Sequence, residues 1–352
     1  MHIPDGYLSP QTCAVGFAVA VPTLAVAAAR VKRRVKTRNV PTLAVLAAVC
    51  FLIMMFNVPI PDGTTAHAVG GGLVAILLGP WAAVIAVTVA LVFQALLFGD
   101  GGVLAFGVNV VNMAIILPFV AYGLYKLISG GAPLTSPRRV VAAVVGGYVG
   151  INAAALAAGA QLGIQPDLFH DAAGAPLYSP YHLAQTIPAM LLAHLVVAGV
   201  AEGILSGAVL AYLQRANLPL LQVNHPGVPV DAEAAAAEEG RRRTLRPRVM
   251  ATVAIAVMVV LTPLGLLAPG TAFGEDAPNE LAANLGLATV PAGMARYADF
   301  WRSALFPDYL SASPWTYMVS AVVGIVVVGL IVYVVGLLAV RVLGHRAASA
   351  RS

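Results

Sequence analysis

The feature that most constrains this chain is a series of nine apolar runs, at 11–29, 40–58, 67–79, 81–98, 103–128, 139–161, 183–213, 249–268 and 316–340. A helix crosses a bilayer with about 20 mostly apolar residues, because the hydrocarbon offers no water to its backbone polar groups. Runs of this length and number describe an all-α polytopic membrane protein. The composition agrees: 60% of residues are hydrophobic, 10% are charged, and the mean hydropathy is +0.87. The stretch from 67 to 98 is divided at Gly79-Pro80, where proline cannot continue a hydrogen-bonded helix. Its short first half is expected to sit partly in protein rather than lipid.

The charges set topology. A net charge of +5 and a pI near 9.4 suit nucleic-acid binding in principle, but the basic residues flank the apolar runs, so they serve orientation and no nucleic-acid partner is expected. Arg30, Lys32, Arg33, Arg34, Lys36 and Arg38 separate the first two runs and assign that loop to the cytoplasm. Strict alternation then brings Lys126, Arg138, Arg139, Arg215, the Arg241–Arg248 cluster, Arg341, Arg346 and Arg351 inside as well. Of 20 Lys and Arg, only Arg296 and Arg302 fall outside, in a long loop where the rule is weak. The expected arrangement is a multi-pass protein of the plasma or inner membrane, with its N-terminus outside and its C-terminus in the cytoplasm.

Three regions follow: 1–215 with seven spans, a cytoplasmic linker at 216–248 rich in proline, acid and then arginine, and 249–352 with two spans around a long external loop. Cys13 and Cys50 lie within apolar runs and imply neither a disulfide framework nor a thiolate metal site. The chain has three lysines, none behind a glycine-rich loop, so it carries no Walker A motif and no ATPase of its own. No enzymatic activity is expected.

The first ten residues, Met1-His2-Ile3-Pro4-Asp5-Gly6-Tyr7-Leu8-Ser9-Pro10, carry neither positive charge nor a signal-peptide apolar core. They do place a histidine next to the free amine. The terminal amine, the His2 amide nitrogen and its Nδ1 can close a five- and a six-membered ring around one metal ion, nearly in a plane. Planar nitrogen coordination suits Ni(II) or Cu(II) better than tetrahedral Zn(II). Methionine before a large residue is expected to be retained. The fourth position falls to His67: the second run leads outward through Asn57-Val58-Pro59-Ile60-Pro61-Asp62-Gly63-Thr64-Thr65-Ala66-His67, so His67 faces the same side as Met1. Pro59 and Pro61 stop the helix, Asp62-Gly63 reads as a turn, and Thr64 or Thr65 is expected to cap a helix that His67 opens. Asp5, Asp62, Thr64 and Thr65 are candidates to orient the histidine.

The stretches Met1–Pro10, Ile53–Gly72 (IMMFNVPIPDGTTAHAVGGG), Gly79–Gly102 (GPWAAVIAVTVALVFQALLFGDGG) and Asn109–Met113 (NVVNM) closely resemble the substrate-binding membrane subunits of nickel and cobalt energy-coupling-factor transporters, the NikM/CbiM type. The resemblance covers about residues 1–215. It implies a seven-helix bundle and the metal ligands Met1, His2 and His67. It also implies partners: a transmembrane coupling subunit of the NikQ/CbiQ type and ATPase subunits of the NikO/CbiO type. Cobalt-type members tend to begin Met-His-Ile-Met-Glu and to carry a Ser-Cys-Ser-His-like loop; Pro4-Asp5 and Thr64-Thr65-Ala66-His67 lean toward Ni(II) as cargo, with Co(II) second. The region 249–352 is similar in layout to the NikN/CbiN or PDGLE-type accessory subunit, fused here. Its local matches, Glu275–Leu281 and Phe306–Tyr309, are partial. As a hypothesis, this loop leans on the metal pocket.

Other residues carry weaker signals. His194 and Glu202 lie eight residues apart in the seventh span and form a candidate intramembrane polar pair. They support an alternative, a proton-coupled secondary divalent-metal transporter, although no inverted repeat is visible. A haem-bearing redox subunit using His170, His182 and His194 is a further alternative, weakened because the 12-residue spacing does not keep one helix face. Asn109 and Asn112 are expected to bridge helices. The small-residue stripe Ala44–Ala48 permits close helix approach, which the resemblance assigns to the coupling subunit.

Overall fold

The computed structural model describes residues 1–34, 39–60, 64–230, 247–266 and 273–349. Among these, six helices are long and apolar enough to cross a membrane. They are α1 (Pro10–Arg34), α4 (Pro80–Phe98), α5 (Phe106–Ser129), α6 (Pro137–Gly163), α7 (Leu183–Ala216) and α9 (Pro314–Ser349). The remaining apolar runs form the shorter helices α2 (Val40–Met54), α3 (Gly71–Leu78) and α8 (Pro247–Leu261). All nine runs are helical, and the fold is all-α apart from one tiny hairpin.

The second run stops short of its expected end for a local reason. Val58 and Pro59 form strand β1, which pairs antiparallel with β2 (Thr65–Ala66) in the register Val58↔Ala66 and Pro59↔Thr65. Proline pushes the residue before it toward extended backbone. Asp62 lies outside the described residues. The hairpin moves His67 off any helix. It sits in the extended link between β2 and α3, whose N-cap is Gly70 in a left-handed conformation, φ 77°. Thr64 and Thr65 therefore do not cap a helix at His67, as the sequence had suggested.

All eight residues of α3 are buried, so this half-length helix lives inside the bundle and not against lipid. Its last carbonyls are satisfied by side chains from beyond α7: Asn224 Nδ2 donates to Ala75 O (3.2 Å) and Ile76 O (3.0 Å), and His225 Nε2 lies 3.1 Å from Ile76 O. Residues 216–230 are thus packed on the core, and 231–246 of the expected linker lie outside the described residues.

Helices approach closely where glycine allows it. A Cβ added to Gly146 on α6 would fall 2.6 Å from Ala121 O on α5, and one on Gly147 would fall 3.0 Å from Glu202 O on α7. The C-terminal helix α9 packs along α2 in the same way. A Cβ on Gly324 would lie 1.9 Å from the Phe51 ring, and Gly329 faces Ala44 and Ala48. The Ala44–Ala48 stripe thus receives α9, where the resemblance had implied an external coupling subunit. Small residues announce a close neighbour without naming it.

Candidate metal centre

Chain termini are usually loose, but here residues 1–9 are threaded into the protein. Met1, Ile3, Tyr7 and Leu8 are each 2% exposed or less. The backbone of Ile3 is gripped by Asn109, whose Oδ1 accepts from Ile3 N (2.9 Å) and whose Nδ2 donates to Ile3 O (3.0 Å), while Gly102 N donates to the same carbonyl (2.9 Å). The Asp5 carboxylate accepts from the amides of Val103 (3.0 Å), Leu104 (2.8 Å) and Ala105 (3.1 Å) at the start of α5. Burial raises its pKa, and the three amides offset only part of that rise. Gly102 must be glycine: a Cβ there would fall 2.2 Å from Asp5 Oδ1. Asp5 therefore anchors the terminal segment, and its carboxylate is held by backbone amides rather than by His67.

This anchoring brings His2 and His67 together. Their rings stack with centroids 5.0 Å apart and planes inclined by 22°, and they are 4% and 2% exposed. His67 Nδ1 lies 3.1 Å from Ala68 O. A carbonyl only accepts, so Nδ1 carries the proton and Nε2 presents a lone pair. Both His2 Nε2 and His67 Nε2 are buried without a hydrogen-bond partner. Buried polar atoms normally find partners, so these two nitrogens are candidate ligand atoms. Burial first, then repulsion from the terminal ammonium and from His2, hold His67 well below the ordinary histidine pKa. It is a neutral donor at physiological pH.

One atom departs from expectation. His2 Nδ1, the nitrogen needed for a terminal chelate, makes a 2.8 Å contact with Asp100 Oδ1. Loss of water contact would raise the Asp100 carboxyl, but His2 beside it, hydrogen bonds from His2 and Tyr309, and His67 hold it below the usual carboxylate range. The amine is also engaged: Met1 N lies 3.1 Å from Glu275 Oε1. The same carboxylate accepts from Thr64 Oγ1 (3.2 Å) and from Thr65 Oγ1 (2.7 and 2.8 Å). Tyr309 donates its hydroxyl to Asp100 Oδ2 and accepts from Gln94 Nε2 (2.9 Å). Its backbone, with Asp308 and Leu310, lies in the left-handed region at φ 48°, 56° and 53°, a strain proteins tend to keep at functional sites.

Among the described residues, no three His, Cys, Asp or Glu side chains form a conventional metal cluster. A metal held here must draw on the amine and backbone as well.

The description of the family named CbiM, the cobalt uptake substrate-specific transmembrane region, matches residues 2–220. The chain belongs to the CbiM family. It is 47% identical to the fused nickel transport protein NikMN of Rhodobacter capsulatus, over 99% of this chain and 100% of that one. It is 38% identical to the cobalt transport protein CbiM of Lachnoclostridium phytofermentans over 36% of this chain and 52% of that one. Two crystal structures described as transition metal transporters superpose with TM-scores of 0.58 and 0.59 at 58% and 54% identity. They cover 60% and 64% of this chain and 98% and 100% of theirs, the first being a truncated form. The protein is a multi-pass membrane member of a nickel and cobalt transport family.

The CbiM-family region also shows where the remaining candidates go. Glu202 and His194, expected as a pair, are not joined. Glu202 accepts from the backbone amides of Val69 (2.8 Å), Gly70 (2.8 Å) and Gly72 (3.2 Å), and His194 Nδ1 lies 2.8 Å from Met190 O. His170 and His182 are exposed, with Asp171 O and Asp167 Oδ1 as partners. Asn112 bridges α5 to Gln161 on α6 as expected (2.7 and 3.0 Å), but Asn109 holds the terminal strand. Sequence reasoning missed Asp100, Gln94 and the site roles of Glu275 and Tyr309. A usable signal existed: the two stretches of the C-terminal region that partly matched family patterns, Glu275–Leu281 and Phe306–Tyr309, are the ones that reach the site.

Proposed function

We propose that this chain captures Ni(II), with Co(II) as the second cargo, on the terminal amine, the His2 amide nitrogen and Nδ1, and His67 Nε2. One observation carries this reading: His67, with an orphaned Nε2, is buried and stacked on His2 beside a buried chain terminus. Four nitrogens in a plane favour Ni(II) on ligand-field grounds. Chelation requires His2 to exchange Asp100 for the metal and the amine to leave Glu275.

In this reading the chain is the high-affinity, substrate-specific membrane component of an ATP-driven importer of the energy-coupling-factor type. The N-terminus faces outside, as the positive-inside rule indicates, and metal arrives from there. Separate ATPase subunits act through a transmembrane coupling subunit, and release inward follows. The C-terminal region acts on loading, which its contacts to Met1 through Glu275 and to Asp100 through Tyr309 support.

The test is a Ni(II) and Co(II) titration of the purified full chain, beside a variant with one residue inserted between Met1 and His2. The insertion keeps every side chain and breaks the chelate spacing. Lost binding with unchanged thermal unfolding supports the site; wild-type binding places the metal elsewhere.

A further inference from the structure

We infer that Glu202 is a positioning residue for metal capture: its carboxylate, deep in α7, holds the backbone turn that aims His67. This rests on the site proposed above and extends it to a residue outside it.

Glu202 is fully buried in a membrane-spanning helix, where an ionised side chain is expensive. No Lys or Arg pairs with it among the described residues. Its carboxyl meets backbone instead. Oε2 accepts from Val69 N and Gly70 N, and Oε1 accepts from Gly72 N. Gly70 caps α3, whose helix dipole presents its positive end to the carboxylate. Three backbone amides thus converge on one carboxyl group.

The chemistry calls for an acceptor with two oxygens. Glutamine would offer one oxygen and turn an N–H₂ toward a backbone N–H. The turn is glycine-rich because it wraps the carboxylate closely. A Cβ on Gly72 would lie 3.4 Å from Glu202 Oε1 and 3.2 Å from Ala121 Cβ, and Gly70 has a positive φ backed by Cys50. The gripped turn starts two residues after His67. With His67 Nδ1 bonded to Ala68 O, the link from ring to carboxylate is short, and fixing Val69 to Gly72 fixes the direction of Nε2. His194 does not compete for Glu202, since its Nδ1 bonds to Met190 O.

The experiment is a double-mutant cycle on the purified full chain, read by Ni(II) affinity, with metal-free thermal unfolding as the control on folding. Glu202→Gln is expected to weaken Ni(II) binding by about 10–100-fold, the range seen when a partner that orients a metal ligand is removed. In a His67→Ala background the same change is expected to alter the residual affinity by less than about twofold, since Glu202 then has no ligand to aim. Wild-type affinity in Glu202→Gln, or an equal loss with and without His67, would overturn the inference. If Glu202→Gln does not fold, Glu202→Asp carries the same cycle, because it keeps the charge and withdraws both oxygens. If His67→Ala alone leaves binding intact, the metal site itself is misplaced, a failure distinct from loss of Glu202's role alone.

Discussion

Two pairs of histidines in this molecule, each a candidate from sequence, have opposite fates. His170 and His182 are exposed, each with an ordinary oxygen partner. His2 and His67 are buried, stacked on each other, and each keeps one nitrogen unused. Residue type does not separate the pairs. Enclosure does, together with what holds the second ring nitrogen. An exposed imidazole shares its nitrogens with water and neighbours, whereas His67, buried and held through Nδ1, keeps Nε2 for a ligand, and His2 would have to give up Asp100 to offer Nδ1.

The sharpest way to break this comparison is to remove the buried pair. His2→Ala or His67→Ala is expected to weaken Ni(II) binding by more than about 100-fold, beyond the range for partners that only orient a ligand; isothermal titration reads this directly. Acid gives the next effect. If the amine and the amide each release a proton on binding, affinity falls by up to about 100-fold per pH unit in acid. Binding unchanged down to pH 4 would exclude that ligand set. Tyr309→Phe removes the hydroxyl that donates to Asp100 and accepts from Gln94. It is expected to cost about 1.5–3 kcal/mol of folding stability, one hydrogen bond to a charged acceptor, seen as a lowered unfolding midpoint. Glu275→Gln frees the amine from a partly exposed ion pair that metal must displace. It should tighten Ni(II) binding by no more than about fivefold, since such pairs are worth up to about 1 kcal/mol. The smallest effect is the contrast itself: His170→Ala and His182→Ala should leave affinity within about twofold.

Much of the fold was legible because hydropathy is a local signal. Nine apolar runs became nine helices in order, and Gly79-Pro80 divided two of them as expected. Helix lengths were less legible, because the β1–β2 hairpin took residues from the second span and set His67 ahead of α3. Of the site, Met1, His2 and His67 stood out by type and position. Their surroundings did not, because those contacts join distant parts of the chain. Glu275 reaches Met1 across 274 residues and Tyr309 reaches Asp100 across 209. Asp100 lay unremarked inside the Gly79–Gly102 stretch. Glu202 was noticed as an ionisable group in a span, but its true partners are backbone amides, which no side-chain pattern reveals. Asp5 was singled out for a role near His67, and its carboxylate accepts from the amides of Val103, Leu104 and Ala105 just before α5.

The central claim is that a metal here is held by four nitrogens in a plane. X-ray absorption at the nickel edge on the Ni(II)-loaded full chain tests it most directly. The account predicts a four-coordinate, planar, nitrogen-only site. A six-coordinate site with oxygen donors would contradict it, and would make Glu275 and Asp100 ligands where the account has them give way to the metal.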